Sequence, residues 1–339
     1  MKAAQRIYWY KHEPLNFTFK SSKESFYVNE QTLTRFSGKG NFLILHIQKQ
    51  NLSTWDLIDL LAEQCNIPKQ NIGYAGLKDK YATTTQYISI PKRFKRDLKL
   101  LNDNRITILS SFVHNEALRI GDLHANHFTI TLQDVSSVMA GKLEKTFLKI
   151  IKEGIPNYFG YQRFGTSLES ITEGKAIIEE DKHIQDKRLK KFFINAYSSH
   201  LFNSWLAKRV GLTSNSDDLP HPFRLLEGDI FFDTKTDKLF TPSKLSSVEK
   251  NFLKKEVLPT GLIPGRNVIR ATQKAATFES DFDDIAFYNQ GHRRAAIVFA
   301  TQEAFKYDHA NKTVTLQFTL PKGSYATVLL EALENHKFY

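Results

Sequence analysis

The chain has 339 residues, with 47 Lys and Arg against 36 Asp and Glu and a formal net charge of +11. Cys65 is its single cysteine, which excludes an intrachain disulfide and a cysteine-based zinc cage, and no apolar run approaches the ~18 residues of a membrane span. A hydrophobic fraction of 41% fits a globular protein long enough for two domains, and the positive excess attracts polyanions by releasing their counterions.

The N-terminal MKAAQRIYWYKHEP has no apolar run before a small-residue cleavage site, so it does not read as a secretory leader, and the expected location is cytoplasmic. Residues 26–30 (FYVNE) and 41–47 (NFLILHI) are β-rich runs, separated by turn chemistry at Ser37-Gly38-Lys39-Gly40. Ser53 and Asp56 have capping-box spacing, and Trp55, Ile58, Leu61 and Ala62 recur with helical period up to Pro68. A loop over 72–80, bearing Gly73 and Gly76, leads into the β-prone run 83–90. Strands are expected at 105–113 and 127–132, and a helix at 138–151 closed by Gly154 and Pro156.

Helical spacing returns over 189–209. Residues 214–223 read as a polar, Pro-containing loop and 259–265 as a Pro/Gly-rich connection. Strands follow at 294–300 and 313–320. This pattern predicts an α+β protein, either one domain interrupted by an insertion or two consecutive domains.

Asp79 stands between Lys78 and Lys80 in the glycine-bearing loop. Neighbouring cations favour the ionised form and can hold a carboxylate ready as nucleophile or base, and the lysines are candidates for phosphates of a nucleic acid. An ordinary solvated turn has the same local composition. His124 and His127 face opposite sides of a strand, so no metal site is expected. The segment 160–165 has neither G-x-G-x-x-G nor Gly-Lys-Ser/Thr and is no phosphate loop. Its Arg163 is a candidate for contact with a nucleic acid or for tying the domains together, and a structural junction with backbone contacts is the favoured reading. Basic clusters at Lys92-Arg93-Lys95-Arg96, Lys187-Arg188-Lys190-Lys191 and Arg293-Arg294 are candidate phosphate contacts.

Six segments, taken together, resemble the TruD family of pseudouridine synthases. They are Lys20 with FYVNE at 26–30; GYAGLKDK at 73–80 with Ala82, Thr83 and Gln86; LRIG at 118–121 with NHF at 126–128; GIPNYFGYQRFG at 154–165; NAYSSHLFN at 195–203; and LPKGSYAT at 320–327. Ser25 stands where the family usually has Asp, and Ala125 where it has Gly. The resemblance implies a mostly antiparallel catalytic domain (1–156 with 294–339) and an inserted domain (157–293). It also implies isomerisation of uridine to pseudouridine in tRNA, usually at position 13. Asp79 is then the catalytic carboxylate, Lys20 its partner, Asn126 and Phe128 the holders of the base, and Tyr325 a ring against it. No cofactor, metal or membrane is expected, tRNA is the partner, and the chain is read as a monomer. A tRNA-binding chaperone without catalysis is the alternative. A methyltransferase would need a nucleotide-cofactor loop, which the sequence does not display.

Overall fold

The computed structural model describes residues 5–32, 35–165, 168–212 and 219–335. Residues 214–218 of the expected polar loop and the first four of the N-terminal stretch lie outside the described residues. Contacts divide the chain into two compact units. One comprises Leu15–Thr146 and Ala300–Gly323, the other Met1–Pro14, Phe147–Phe299 and Ser324–Tyr339. The expected insertion, 157–293, lies within the second unit, which also takes in both chain ends. No helix among the described residues is long and apolar enough to cross a membrane.

In chain order the first unit forms β1 (Phe26–Thr32), β2 (Phe42–Gln50), α1 (Thr54–Gln64), β3 (Gly73–Tyr74), β4 (Thr83–Pro91), β5 (Ile106–His114) and β6 (Leu123–Leu132). Helix α2 (Ser137–Glu153) leads out of it. The second unit follows with β7 (Ile155–Pro156), α3 (Glu169–Ile178), α4 (Lys187–Gly211), β8 (Phe231–Asp233), β9 (Lys238–Phe240), α5 (Ser246–Leu253), β10 (Val257–Ile263), α6 (Gln273–Glu279), β11 (His292–Ala295) and β12 (Ile297–Val298). The chain then returns through β13 (Thr301–Asp308) and β14 (Thr313–Pro321), and α7 (Ala326–Glu334) closes the second unit.

The first unit is built on one eight-stranded sheet in the order β13-β14-β6-β1-β4-β2-β5, with β3 paired to β4. Strands β1 and β4 run parallel; the other ladders of this sheet, among the described residues, are antiparallel. The protein is therefore α+β with mostly antiparallel strands, as expected. The capping box at Ser53 forms in both directions: its hydroxyl accepts from the Asp56 N–H at 3.0 Å, and Asp56 accepts from the Ser53 N–H at 2.8 Å. Helix α1 thereby starts just after β2 and lays Leu57, Ile58 and Leu61 on Leu43, Leu45, Ile47, Ile88 and Ile90 of the sheet. Trp55, predicted on that apolar stripe, is instead 46% exposed and meets the Tyr74 ring edge-on. Leu57 takes the buried place.

The second unit holds a four-stranded sheet, β11-β10-β8-β9, and the paired strands β12 and β7. Helix α4 starts at Asp186, whose side chain accepts the N–H groups of Arg188 and Leu189. One prediction is corrected here: the supposed Pro/Gly connection is the inner strand β10. Its proline sits where the ladders change partner, Pro259 being the last residue paired to β8 and Thr260 the first paired to β11. Gly261 lets the Trp205 ring of α4 approach, since a Cβ there would stand 2.1 Å from a ring carbon. The expected strand at 294–300 is two short ones, β11 and β12.

Candidate active site

Strand register assembles the polar centre of the first unit. Lys49 of β2 lies opposite Thr84 of β4, Val28 of β1 beside Thr84, and Glu30 opposite Asn126 of β6. Because side chains alternate, Lys49, Thr84, Glu30, Asn126 and Phe128 share the sheet face that α1 partly covers. The loop 75–82 passes over the end of this face carrying Lys78 and Asp79.

Lys78 is drawn inward. Its N–H donates to the Thr54 hydroxyl at 2.9 Å, and that hydroxyl donates to Gln86 Oε1 at 3.0 Å. Its ammonium donates to Asn126 Oδ1 at 2.5 Å and lies 2.7 Å from Glu30 Oε2, with both charged side chains almost fully buried. Glu30 Oε2 has no hydrogen-bond partner of good geometry, so the Lys78 charge holds it, while Oε1 accepts the Tyr87 N–H at 3.0 Å. A phosphate role for Lys78 is therefore corrected: its charge is committed to an internal carboxylate. Removing one partner of such a buried pair typically costs about 3–5 kcal/mol. Lys80 stays exposed, 3.7 Å from Asp56.

Asp79 is an exposed residue whose carboxyl is nevertheless closely walled by protein. Burial raises its pKa above the ordinary 3.8, opposed by the charges of Lys49 and then Lys78. Lys49 is wholly buried and donates from Nζ to the backbone carbonyls of Leu52 and, at 3.0 Å, Asp79. Sequence reasoning passed over Lys49 and Glu30. A signal for Lys49 existed in the alternation of Leu43, Leu45 and Ile47, which places residue 49 on the buried face.

The structure brings Asn126 to Lys78, next to Asp79. Phe128 follows two residues along the same face, 6% exposed and stacked with Phe26 at 6.2 Å and Phe318 at 5.5 Å. Lys20 is exposed, and the cations acting on Asp79 are Lys49 and Lys78. Its segment is nonetheless tied to the loop that carries Asp79, since Ser21 Oγ donates to the Tyr81 carbonyl at 2.5 Å. Ser25, where the family has Asp, caps this turn by donating to the Lys20 carbonyl and accepting the Ser22 N–H.

Tyr325 belongs to the second unit. There it packs on Gly160, where a Cβ would stand 2.7 Å from its ring, and lies edge-on to Phe159 at 6.3 Å. Arg163 donates to Ser199 at 3.1 Å and lies over the Phe159 ring, both within the second unit. Arg293 and Arg294 are not surface cations: Arg293 pairs with buried Glu279 at 2.7 Å, and Arg294 donates to Asn157 while lying 4.0 Å from the Phe159 ring centroid. Both are withdrawn as phosphate contacts. Lys92, Arg93, Lys95 and Arg96, and Lys187, Arg188 and Lys191, are exposed.

The model of the family described as tRNA pseudouridine synthase D (TruD) matches residues 3–184 and 182–333. The chain is 38% identical to the tRNA pseudouridine synthase D of a Nitratiruptor species, covering 98% of each, and 35% identical to that of Wolinella succinogenes, covering 98% of this chain and 99% of the relative. The crystal structure of a Methanosarcina mazei protein assigned to TruD superposes with a TM-score of 0.74 at 22% identity, covering 97% of this chain and 96% of that one. With this coverage and identity, and with an accessible aspartate set among buried lysines, the chain belongs to the tRNA pseudouridine synthase D (TruD) family.

Proposed function

We propose that this protein isomerises uridine to pseudouridine in tRNA, at position 13, with Asp79 as the reacting carboxylate. The observation that carries the reading is Asp79 itself: an exposed residue, its carboxyl walled by protein, on a loop tied down through Lys49 and Lys78, in a member of the TruD family. The target nucleotide leaves its stack so that its sugar can reach the carboxylate. Asp79 attacks C1′ or removes the C2′ proton, and in either role it must be ionised. The C1′–N1 bond breaks as Asp79 bonds to C1′ or as C2′ loses its proton to Asp79. The uracil turns, and C1′–C5 forms as the Asp79–C1′ bond breaks or as C2′ regains that proton; C5 then loses its proton to water and N1 gains one. The atoms balance without redox.

Asn126, whose Oδ1 faces Lys78, presents its amide nitrogen to a uracil carbonyl. Phe128 and Tyr325 supply ring surface to the base, and Lys20 supports Asp79 from the turn tied to the same loop. Residues 1–156 with 294–339 act as the catalytic domain and 157–293 as the inserted one. The exposed basic clusters at 92–96 and 187–191 meet tRNA phosphates. The protein works as a monomer in the cytoplasm, where its substrate is.

The test is to incubate the protein with unmodified tRNA, adding no cofactor, and to map pseudouridine. Asp79→Asn is expected to lower turnover by roughly a thousandfold or more. Wild-type turnover in that variant would remove Asp79 from the chemistry. A folded wild type that binds tRNA and assists its folding, yet forms no pseudouridine, would favour the chaperone.

A further inference from the structure

We propose that Lys49 is a positioning residue for the reacting carboxylate: its buried ammonium anchors the backbone carbonyl of Asp79 and sets a positive charge beneath the carboxyl. The inference deepens the reading of Asp79 as the catalytic group and rests on it.

Position 49 continues the buried series Leu43, Leu45 and Ile47 along β2, where an apolar side chain would be the ordinary occupant. A lysine there is 0% exposed. Unlike Lys78, it has no carboxylate within ion-pair distance among the described residues, so its desolvation is offset only by carbonyl dipoles and more distant charge. Both carbonyls are informative. One belongs to Leu52, in the turn that launches α1, and the other to Asp79, in a loop without regular structure. Lys49 therefore clips the catalytic loop to the rigid junction of β2 and α1.

A neutral donor would serve a purely structural clip with less desolvation. What the ammonium adds is charge. The charged groups acting on it are Asp79 and Lys78 from the loop and Asp56 from α1, while its register neighbours Thr84 and Ile106 are uncharged. The amine is brought down to about 8 in all: burial lowers it most, Asp79 opposes this, Lys78 adds to the lowering, and Asp56 raises it. The amine is thus charged at neutral pH and throughout the acid range in which Asp79 titrates. On Asp79 it is the largest influence opposing burial. Loss of that charge should raise the carboxyl's pKa, and loss of the anchor should misplace it.

The experiment compares wild type, Lys49→Met, Lys49→Arg and Asp79→Asn for pseudouridine formation in tRNA across pH, with folding checked at each pH by circular dichroism. Lys49→Met is expected to lower kcat by about 10- to 100-fold with KM changed less than about threefold. The acid limb of its kcat/KM profile should move up by about half a pH unit or more, because the carboxyl loses a neighbouring cation. Lys49→Arg, which retains the charge, should keep the wild-type acid limb. A Lys49→Met enzyme with wild-type kcat and an unmoved acid limb would overturn the proposal while leaving the role of Asp79 intact. An inactive wild type, or an active Asp79→Asn, would instead sink the underlying reading. Should Lys49→Met not fold, Lys49→Gln makes the same comparison. Failure of both neutral variants to fold would count against positioning and for a structural clip alone.

Discussion

Asp79 is under two opposed pressures, and their balance has a consequence for stability. Burial raises its pKa above 3.8 against the pull of Lys49 and Lys78. A carboxyl with a raised folded-state pKa binds its proton more tightly folded than unfolded, so stability falls as pH climbs from the unfolded value through the folded one. At neutral pH the ionised group is therefore a net burden on the fold. Asp79→Asn should melt at or above the wild-type temperature at pH 7 while losing turnover, and its advantage should vanish near pH 3; calorimetry at both pH values tests this. The wild-type kcat/KM profile should fall on the acid side with a midpoint above 3.8. A Tm for Asp79→Asn well below wild type at neutral pH would contradict the assigned direction. Asp79 was legible because its motif is contiguous. Of its electrostatic partners Lys78 was legible as its chain neighbour, whereas Lys49 was not, because it lies 30 positions away.

At the scale of elements, what the chain announces by period and caps it forms. The capping box at Ser53, the run at 83–90 in β4 and the helical spacing of 189–209 in α4 all appear with small changes of boundary. These signals are local, arising from hydrogen bonds and side-chain faces within a few residues. Strand β10 shows the limit. Pro259 and Gly261 read as breakers, yet each occupies the one kind of place a strand allows it: the proline at a change of ladder partner, the glycine under a tryptophan ring. Gly261→Ala is expected to destabilise the second unit by about 1–3 kcal/mol or more, as overpacking of a filled core does. Urea denaturation followed by Trp fluorescence would measure it. An unchanged midpoint would mean that Trp205 can withdraw without penalty.

For the whole molecule, the excess of 11 positive charges is a property of association and not of fold. Its distribution decides which charges can meet RNA. Lys92, Arg93, Lys95 and Arg96 project from short 3-10 turns after β4, whereas Lys49, Lys78, Arg293 and Arg294 turn inward. Replacing the four exposed residues by Gln should weaken tRNA binding and reduce the slope of log K against log salt by up to about one for every phosphate no longer neutralised. The melting temperature should move little, since exposed charges contribute little to stability. Filter binding across salt concentrations checks the slope, and an unaltered slope would take this segment out of the RNA footprint.

The sequence by itself determined the family, the α+β class and the longer strands and helices, and it singled out Asp79 as the carboxylate to test. All of these are carried by contiguous motifs or by periods short enough to read along the chain. Only the tertiary structure decided that β13 and β14 return from beyond residue 300 to complete the sheet beside β6. It also decided that Lys78 answers Glu30, that Lys49 lies beneath Asp79, and that Arg293 and Arg294 serve internal partners. Burial and electrostatics are sums over neighbours that the fold brings together from remote positions. The same lysine or arginine is a solvated charge on one face of a strand and a buried anchor on the other.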